Sequence, residues 1–445
     1  MLATLSRRRV TSIARRHSLL CTTRSFLSWF SSFMSTPPSP LPAHDAALPR
    51  YGYMVFILGI LACLGPITID AYLPAFGDIG RAFVRTPAEV QSTLGYYMLA
   101  YALTTLVHGT LSDTFGRRPV LLTALAVYTL GAIIAAAAPS FEWLIVGRVL
   151  QGLSAGAGMI IGQAVVNDCY KGPMAQRALS YIIMVFSVSP AIAPIVGGYL
   201  TTSLGWRSIF ALMAGVALIS IAVCAWALPE TLPKSRRRPF AFGGFLASIL
   251  HILKDRVFTA YALAFGVLFA GLAFVIGGAH DFVTHVLRLP ETAFGYLFVP
   301  LVMGMLTGSA LAVRLAKRIQ PARLIGLGYA AMALSCLFNL GYTSTTLEPV
   351  FPWAVVPLAL FSCGLCIAIP SMTLTVLQRA PGMGGTAASV LGFIQMVFFS
   401  VVSGWGVALV YGSAWRMAVG LTLSMAISGG AWWLINARSR SPVRS

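Results

Sequence analysis

Gly109-Thr110-Leu111-Ser112-Asp113-Thr114-Phe115-Gly116-Arg117-Arg118-Pro119 is a charged interruption between two apolar stretches. On either side, over about 91–111 and 119–138, the chain stays apolar for roughly the 20 residues that a helix needs to cross a bilayer. The interruption therefore reads as a tight turn at a membrane surface. Gly109 and Gly116 permit sharp backbone angles and close helix approach. Asp113 can pair with Arg117 or Arg118 or sit at a helix N-terminus, and Pro119 suits the first turn of the following helix. A basic turn placed only to set topology needs the arginines but not Gly109, Asp113 or Gly116.

The composition extends this reading to the whole chain. Of 445 residues, 58% are hydrophobic and 10% charged, and the mean hydropathy is +0.82, whereas a soluble domain carries about 25% charged residues. Soluble domains of this length cannot bury so much apolar surface, so the solvent is a bilayer. Twelve windows have the length and character of spans: about 53–76, 91–111, 119–138, 142–166, 177–200, 207–228, 257–280, 292–313, 323–342, 353–376, 386–410 and 415–435. The longest internal connection, 229–256, carries Lys234, Arg236, Arg237, Arg238, Lys254 and Arg256. The expected fold is an all-α integral membrane protein with twelve transmembrane helices in two six-helix bundles, 53–228 and 257–436. Residues 229–256 form a linker between them and 437–445 a tail.

The net charge of +19 would point to nucleic acid in a soluble protein. Position overrides that. With the N-terminus inside, 19 Lys and Arg after residue 34 fall on the inner side and 5 on the outer (Arg81, Arg85, Arg207, Arg288, Arg416). That asymmetry places both termini in the cytoplasm and assigns the surplus to topology and anionic headgroups, with no nucleic-acid partner. Residues 1–33 hold six Arg and no acid. They fit either an Arg- and Ser-rich transit leader or a start upstream of the true initiator, which is then Met34. The second is the expectation, with 34–52 a polar tail leading into the first span.

The sequence has no Walker loop, dinucleotide fingerprint, G-x-S-x-G or H-E-x-x-H. No cofactor or metal is expected, and no enzymatic activity. Cys363 and Cys366 form a C-x-x-C inside an apolar span without the βαβ setting of a redox motif, so they read as small packing residues. His280, Asp281 and His285 cluster near the outer end of the seventh span but lack a third strong ligand at a metal spacing. A titrating or solvated vestibule is the reading there.

The Gly109–Pro119 stretch resembles the signature loop of the major facilitator superfamily. Arg148-Val149-Leu150-Gln151-Gly152 resembles the arginine motif of that superfamily's drug:proton antiporters. Ser189-Pro190-Ala191-Ile192-Ala193-Pro194-Ile195-Val196-Gly197-Gly198 resembles their antiporter motif, with Pro190, Pro194, Gly197 and Gly198 where helices bend and approach. Asp70-Ala71-Tyr72-Leu73-Pro74-Ala75 is similar to the bicyclomycin and chloramphenicol resistance (Bcr/CflA) subgroup. The resemblance implies a bacterial inner-membrane exporter of small amphipathic drugs or toxic compounds, driven by protons through alternating access and working as a monomer. Gly308 to Arg318 lies 199 residues after Gly109 (308 − 109) and repeats the loop with Ala312 in place of Asp113. Two parallel halves with a midplane site are the pattern of this transporter class.

Two charges remain inside the spans. Asp70 and Arg148 each lie about six residues from the outer end of their span, roughly 9 Å below the interface at 1.5 Å per residue. A lone charge in a bilayer costs several kcal/mol and faces a cavity or a partner. Asp70 and Arg148 are therefore expected to form a pair that couples transport to protons, with Gln151 and Tyr72 beside them. Tyr97 and Tyr101 on the second span, and Phe393 and Gln395 on the eleventh, are candidates for the cavity wall. Gly109, Asp113, Gly116, Arg117 and Arg118 are the expected inner gate, with Asp113 meeting the eleventh-span N-terminus near Gly384, Gly385 and Thr386. A proton-coupled metabolite exporter is the main alternative on this fold, and a non-transporting membrane sensor a more distant one.

Overall fold

Helices follow from the composition, because a backbone in lipid must satisfy its own hydrogen bonds. The computed structural model describes residues 51–237, 242–316, 318–346, 348–381 and 383–440. Residues 1–33, Met34, the tail to residue 50, Arg238, Lys317 and 441–445 lie outside the described residues. Among those described, the spans are Tyr51–Asp70, Pro87–Phe115, Arg117–Ala136, Phe141–Cys169, Gly172–Leu204 and Arg207–Ala227, then Arg256–Gly277, Gly295–Leu315, Pro321–Thr345, Val356–Leu377, Gly384–Gly404 and Ala414–Arg440. The twelve expected helices are thus present. Eleven qualify as membrane-crossing by length and apolarity alone, while the second, of 29 residues, is more polar because it buries Gln91, Thr93, His108 and Ser112 toward the protein.

Three spans depart from the expected bounds. The first helix stops at Asp70 rather than near residue 76, and a short 3-10 turn, Leu73–Ala75, precedes a separate helix, Phe76–Phe83. Pro74 explains the break, since it has no N–H to bond back to the carbonyl of Asp70 four residues before it, and its ring crowds that carbonyl. The fourth is interrupted at Gly156, between Phe141–Ala155 and Ala157–Cys169. The eleventh ends at Gly404 rather than near 410, continuing as a 3-10 turn, Gly406–Val410. The basic connection 229–256 contains a 13-residue helix, Phe242–Lys254.

Residues Val55–Ser445 form one compact unit. Within it, related helices cross alike. The third and fourth spans meet at Gly131 and Gly147, and the ninth and tenth at Gly328 and Gly364. A Cβ on any of the four would come within 2.6–2.8 Å of the facing glycine's carbonyl oxygen. The spans of the first half meet those of the second at the end opposite the Gly109–Pro119 turn. There the second and eleventh cross so closely that a Cβ on Gly95 would lie 2.7 Å from the Cα of Gly404. Ser400 Oγ donates to the Gly95 carbonyl at 2.8 Å, Gln91 Nε2 donates to the Ser403 carbonyl, and Tyr411 donates to Gln91 Oε1 at 3.1 Å. The fifth span abuts the start of the eighth, where a Cβ on Gly198 would be 2.4 Å from the Glu291 carbonyl oxygen. At the end carrying the turn, Gly384 and Gly385 have nothing within 4 Å of a Cβ position. The close approaches and hydrogen bonds between the halves close the end opposite the turn.

Candidate functional site

Arg148 lies on the fourth span and is fully buried, with 0% exposure. Its guanidinium is sandwiched between the rings of Tyr72, 4.3 Å away, and Tyr97, 4.4 Å away. Each such contact contributes about 2 kcal/mol when desolvated. Nη1 donates to the Thr68 carbonyl at 3.2 Å and to Gln151 Oε1 at 3.1 Å, while Nε and Nη2 are buried without a partner. The tyrosines are themselves fixed. Tyr72 and Thr93 share a hydrogen bond of 2.7 Å, and Tyr97 donates to the Gly65 carbonyl at 3.2 Å. Tyr128 bonds to Thr68 Oγ1, and Gln151 Nε2 reaches Met213 Sδ at 3.6 Å. The first, second, third, fourth and sixth spans all contribute to this cluster.

The structure thus brings together Arg148, Gln151, Tyr72 and Tyr97 of the expected site. It does not place Asp70 against Arg148: Asp70 is buried at 3% exposure, and among the described residues no salt bridge joins the two. Helix phase accounts for this. Thr68, whose side chain turns to Tyr128, and Asp70 leave the helix roughly 200° apart at 3.6 residues per turn. The ionic pair expected from shared depth is absent because depth fixes one coordinate and helix phase another. Tyr101 contacts Tyr97, with ring centroids 6.4 Å apart. Phe393 and Gln395 are half-buried, and among the described residues no hydrogen bond or ring contact joins them to the Arg148 cluster. Pro190 and Pro194 lie inside the helix Gly172–Leu204, and a Cβ on Gly197 would sit 2.1 Å from the Ala71 carbonyl oxygen, next to Asp70.

Thr68, Thr93, Tyr128 and Met213 were not anticipated from sequence. A tyrosine in mid-span was a usable signal at 128, since a phenol in an apolar helix needs a hydrogen-bond partner. The threonines carry none, because a hydroxyl in a span can satisfy itself on its own helix, as Thr93 does on the Val90 carbonyl at 2.6 Å.

At the end carrying the turn, Arg117 is the hub. It pairs with Asp113 at 2.5 Å and with Asp168 at 3.0 Å, and donates to Ser112 Oγ at 2.7 Å. Its backbone N–H donates to Glu230 Oε1 at 3.0 Å, and Glu230 in turn lies 3.6 Å from Arg237. Gly116 adopts φ +105°, a conformation that favours glycine. Arg118 donates to the Ala225 carbonyl instead of meeting Asp113. Two expectations change here. Asp113, whose side chain is 49% exposed, meets Arg117 rather than the N-terminus of the eleventh span. Gly109 makes no close helix approach, its nearest neighbour being an Ile160 methyl 3.9 Å from a Cβ position. Asp168 and Glu230, missed in the sequence, complete the network.

A profile of the Major Facilitator Superfamily matches residues 55–406. A protein described as bicyclomycin resistance protein homolog, from Haemophilus influenzae, is 27% identical over 387 residues, covering 86% of this chain and 96% of its own. Multidrug resistance protein D of Escherichia coli is 27% identical over 352 residues, covering 79% of this chain and 87% of its own. Among solved structures, a bacterial homolog of the human lysosomal transporter Spinster, inward-facing and unoccupied, superposes with a TM-score of 0.71 at 15% identity, covering 89% of this chain and 100% of that one. This last likeness concerns the fold.

Proposed function

Because the chain belongs to the Major Facilitator Superfamily, a family of membrane transporters and not of enzymes, we propose that it exports small amphipathic drugs or toxic compounds in exchange for protons. The names of the bicyclomycin and multidrug resistance relatives support the substrate class. The observation that carries the coupling is the state of the two buried charges. Arg148 is held between two tyrosines with two unpartnered nitrogens, Nε and Nη2, and Asp70, buried nearby, has no ion pair with it. Apart from any cation, a bare carboxylate in an apolar surround costs several kcal/mol, and a proton removes that cost. The separated arrangement is the proton-carrying one. When Asp70 and Arg148 approach while the cytoplasmic end is open, the proton leaves to that side. Drug and proton compete for one site, as exchange requires.

The bundles 53–228 and 257–436 move against each other about this site, joined by 229–256, and a single chain holds the whole pathway. The loops rich in Lys and Arg face the cytoplasm of a bacterial inner membrane, as do both termini. The end carrying the turn is then the cytoplasmic one, which opens for a drug to enter while the opposite end is closed. Asp113 acts on the opposite swing, when the N-terminus at Gly384, Gly385 and Thr386 closes on it. Asp113→Ala is expected to slow turnover roughly two- to fivefold, the span of a carboxylate held at a helix N-terminus, with substrate Kd changed less than about twofold. Transport rate and equilibrium binding measured on the same preparation check this. The reading as a whole is tested by accumulation of a fluorescent cationic dye in cells with and without the protein. Accumulation is expected to be lower with the protein and to recover on adding a protonophore. Equal accumulation across a panel of dyes and antibiotics would overturn drug export.

A further inference from the structure

The closed end holds a second group of titratable side chains, well away from Arg148. A cleft of about 530 Å³ is lined there by Phe76, Gly77, Arg81, His280, Asp281 and Tyr411, among others. His280 sits on the short helix Ala279–Asp281 that follows the seventh span, and its ring donates to the carbonyl of Leu73 on the turn after the first span. It is thus a strut between the two halves of the molecule. The other ring nitrogen, Nδ1, is buried without a partner. Aromatic rings surround it: Phe76 at 5.8 Å, Phe294 at 6.3 Å and His285 at 6.2 Å.

The charged groups facing this ring come from several elements. Arg81, on the helix Phe76–Phe83, pairs with Asp78. Glu291 Oε1 and the His280 ring both lie over Gly77, 3.2 and 3.6 Å from where its Cβ would be. His285 pairs with Asp281 Oδ1 at 3.1 Å, and Asp281 Oδ2 accepts from the Gly412 N–H at 2.7 Å, which ties the seventh span to the loop before the twelfth. The backbone is unusual on both walls. Phe282–Val286 is a π-helical turn, and Arg288 and Val84 both adopt φ 52°, rarely occupied by residues with side chains. Such geometry persists only where surrounding contacts enforce it, and it concentrates at segments that move.

We propose that His280 is a proton-binding site separate from Asp70, which reads the pH on the closed side and unlocks that end when it is protonated. This rests on the alternating-access reading above. While the end is closed, a second ring proton would sit at Nδ1 with no acceptor, close to Arg81. Burial first, then His285 and Arg81, push the His280 imidazole down to about 4. Opening breaks the bond to Leu73 and hydrates the ring, which then titrates near its ordinary value of about 6.5. The sign follows: the neutral ring supports closure in full above about pH 6.5, and that support fades as pH falls toward 4. Acid on the outer side would both open the gate and supply the proton that Asp70 carries inward.

The test is a distance across the closed end, read by paired spin labels at Leu204 and Leu409, both strongly exposed (71% and 74%), in the full-length chain with its seven cysteines replaced. From pH 7.5 to pH 5 the ratio of open to closed molecules is expected to rise roughly thirtyfold. His280→Phe, which fills the ring box without a titratable nitrogen, should hold that rise below about twofold. His280→Gln, which keeps a donor for Leu73, should do the same and serves if the phenylalanine variant folds poorly. His285→Asn and Asp70→Asn should retain the response. An unchanged response in His280→Phe or His280→Gln, or none in the wild-type chain, overturns the proposal. So does a response lost in Asp70→Asn. Because the readout needs no transport, drug export stands or falls separately on the dye assay.

Discussion

Asp70→Asn is expected to abolish proton-driven efflux while leaving the protein inserted and able to bind drug. The substitution keeps size and hydrogen-bonding capacity but removes the only acid in the first span, whose side chain is 3% exposed. An amide cannot carry a proton across, and neither can it be drawn out of an apolar surround by Arg148. A proton moving through about 100 mV releases roughly 2.3 kcal/mol, enough for about a fiftyfold gradient of a neutral drug. In proteoliposomes with an imposed proton gradient, that accumulation should fall to about one. Exchange of labelled for unlabelled drug without any gradient needs only the conformational swing, and should stay within roughly threefold of wild type. Asp70→Glu should restore some of the gradient-driven flux, since a carboxyl is present though displaced by a methylene. Wild-type accumulation by Asp70→Asn would remove Asp70 from the coupling step. Loss of gradient-free exchange as well would assign it a structural role instead.

What was legible in the chain divides along physical lines. Membrane helices are imposed residue by residue through hydropathy, so their number could be read off directly. Of the two that stopped early, the one at Asp70 did so for a local and visible reason, Pro74 four residues on (74 − 70), whereas the contact between Gly404 and Gly95 depends on a helix 309 positions away (404 − 95). Site residues were legible where burial of charge is expensive, which singled out Asp70 and Arg148 against 10% charge overall. Their mutual geometry was not. Equal depth does not fix helix phase, and the tyrosine sandwich around Arg148 needs two helices and the turn after the first span to converge. The inner turn shows the same limit. Its composition announced a network around Asp113 and Arg117, but Asp168 and Glu230 join it only through tertiary packing.

Gly404→Leu is expected to trap the molecule open at the end that is closed here, with export lost at least tenfold. At this crossing a Cβ on Gly404 would come 2.7 Å from the Cα of Gly95, backbone that cannot step aside as a flexible side chain can. Overpacking of this kind costs roughly 1–3 kcal/mol in a core that must accept it. Here only one of two conformations must accept it, so the cost becomes a shift in their populations, about tenfold per 1.4 kcal/mol. The neighbouring bonds from Gln91 to the Ser403 carbonyl and from Ser400 to the Gly95 carbonyl are made only at that closeness and would be lost with it. Thiol labelling at an outer position should accelerate in the variant, while insertion and thermal stability in detergent change little. Gly430→Leu, at a position with nothing within 4 Å of its Cβ, should leave both labelling and export unchanged. Closure at Gly95 and Gly404 would not be part of the transport cycle if Gly404→Leu exported at the wild-type rate. If instead Gly404→Ala, which adds only the Cβ, already loses part of the export that Gly404→Leu loses more fully, the crossing works as a steric gate, its set point fixed by the absence of one side chain.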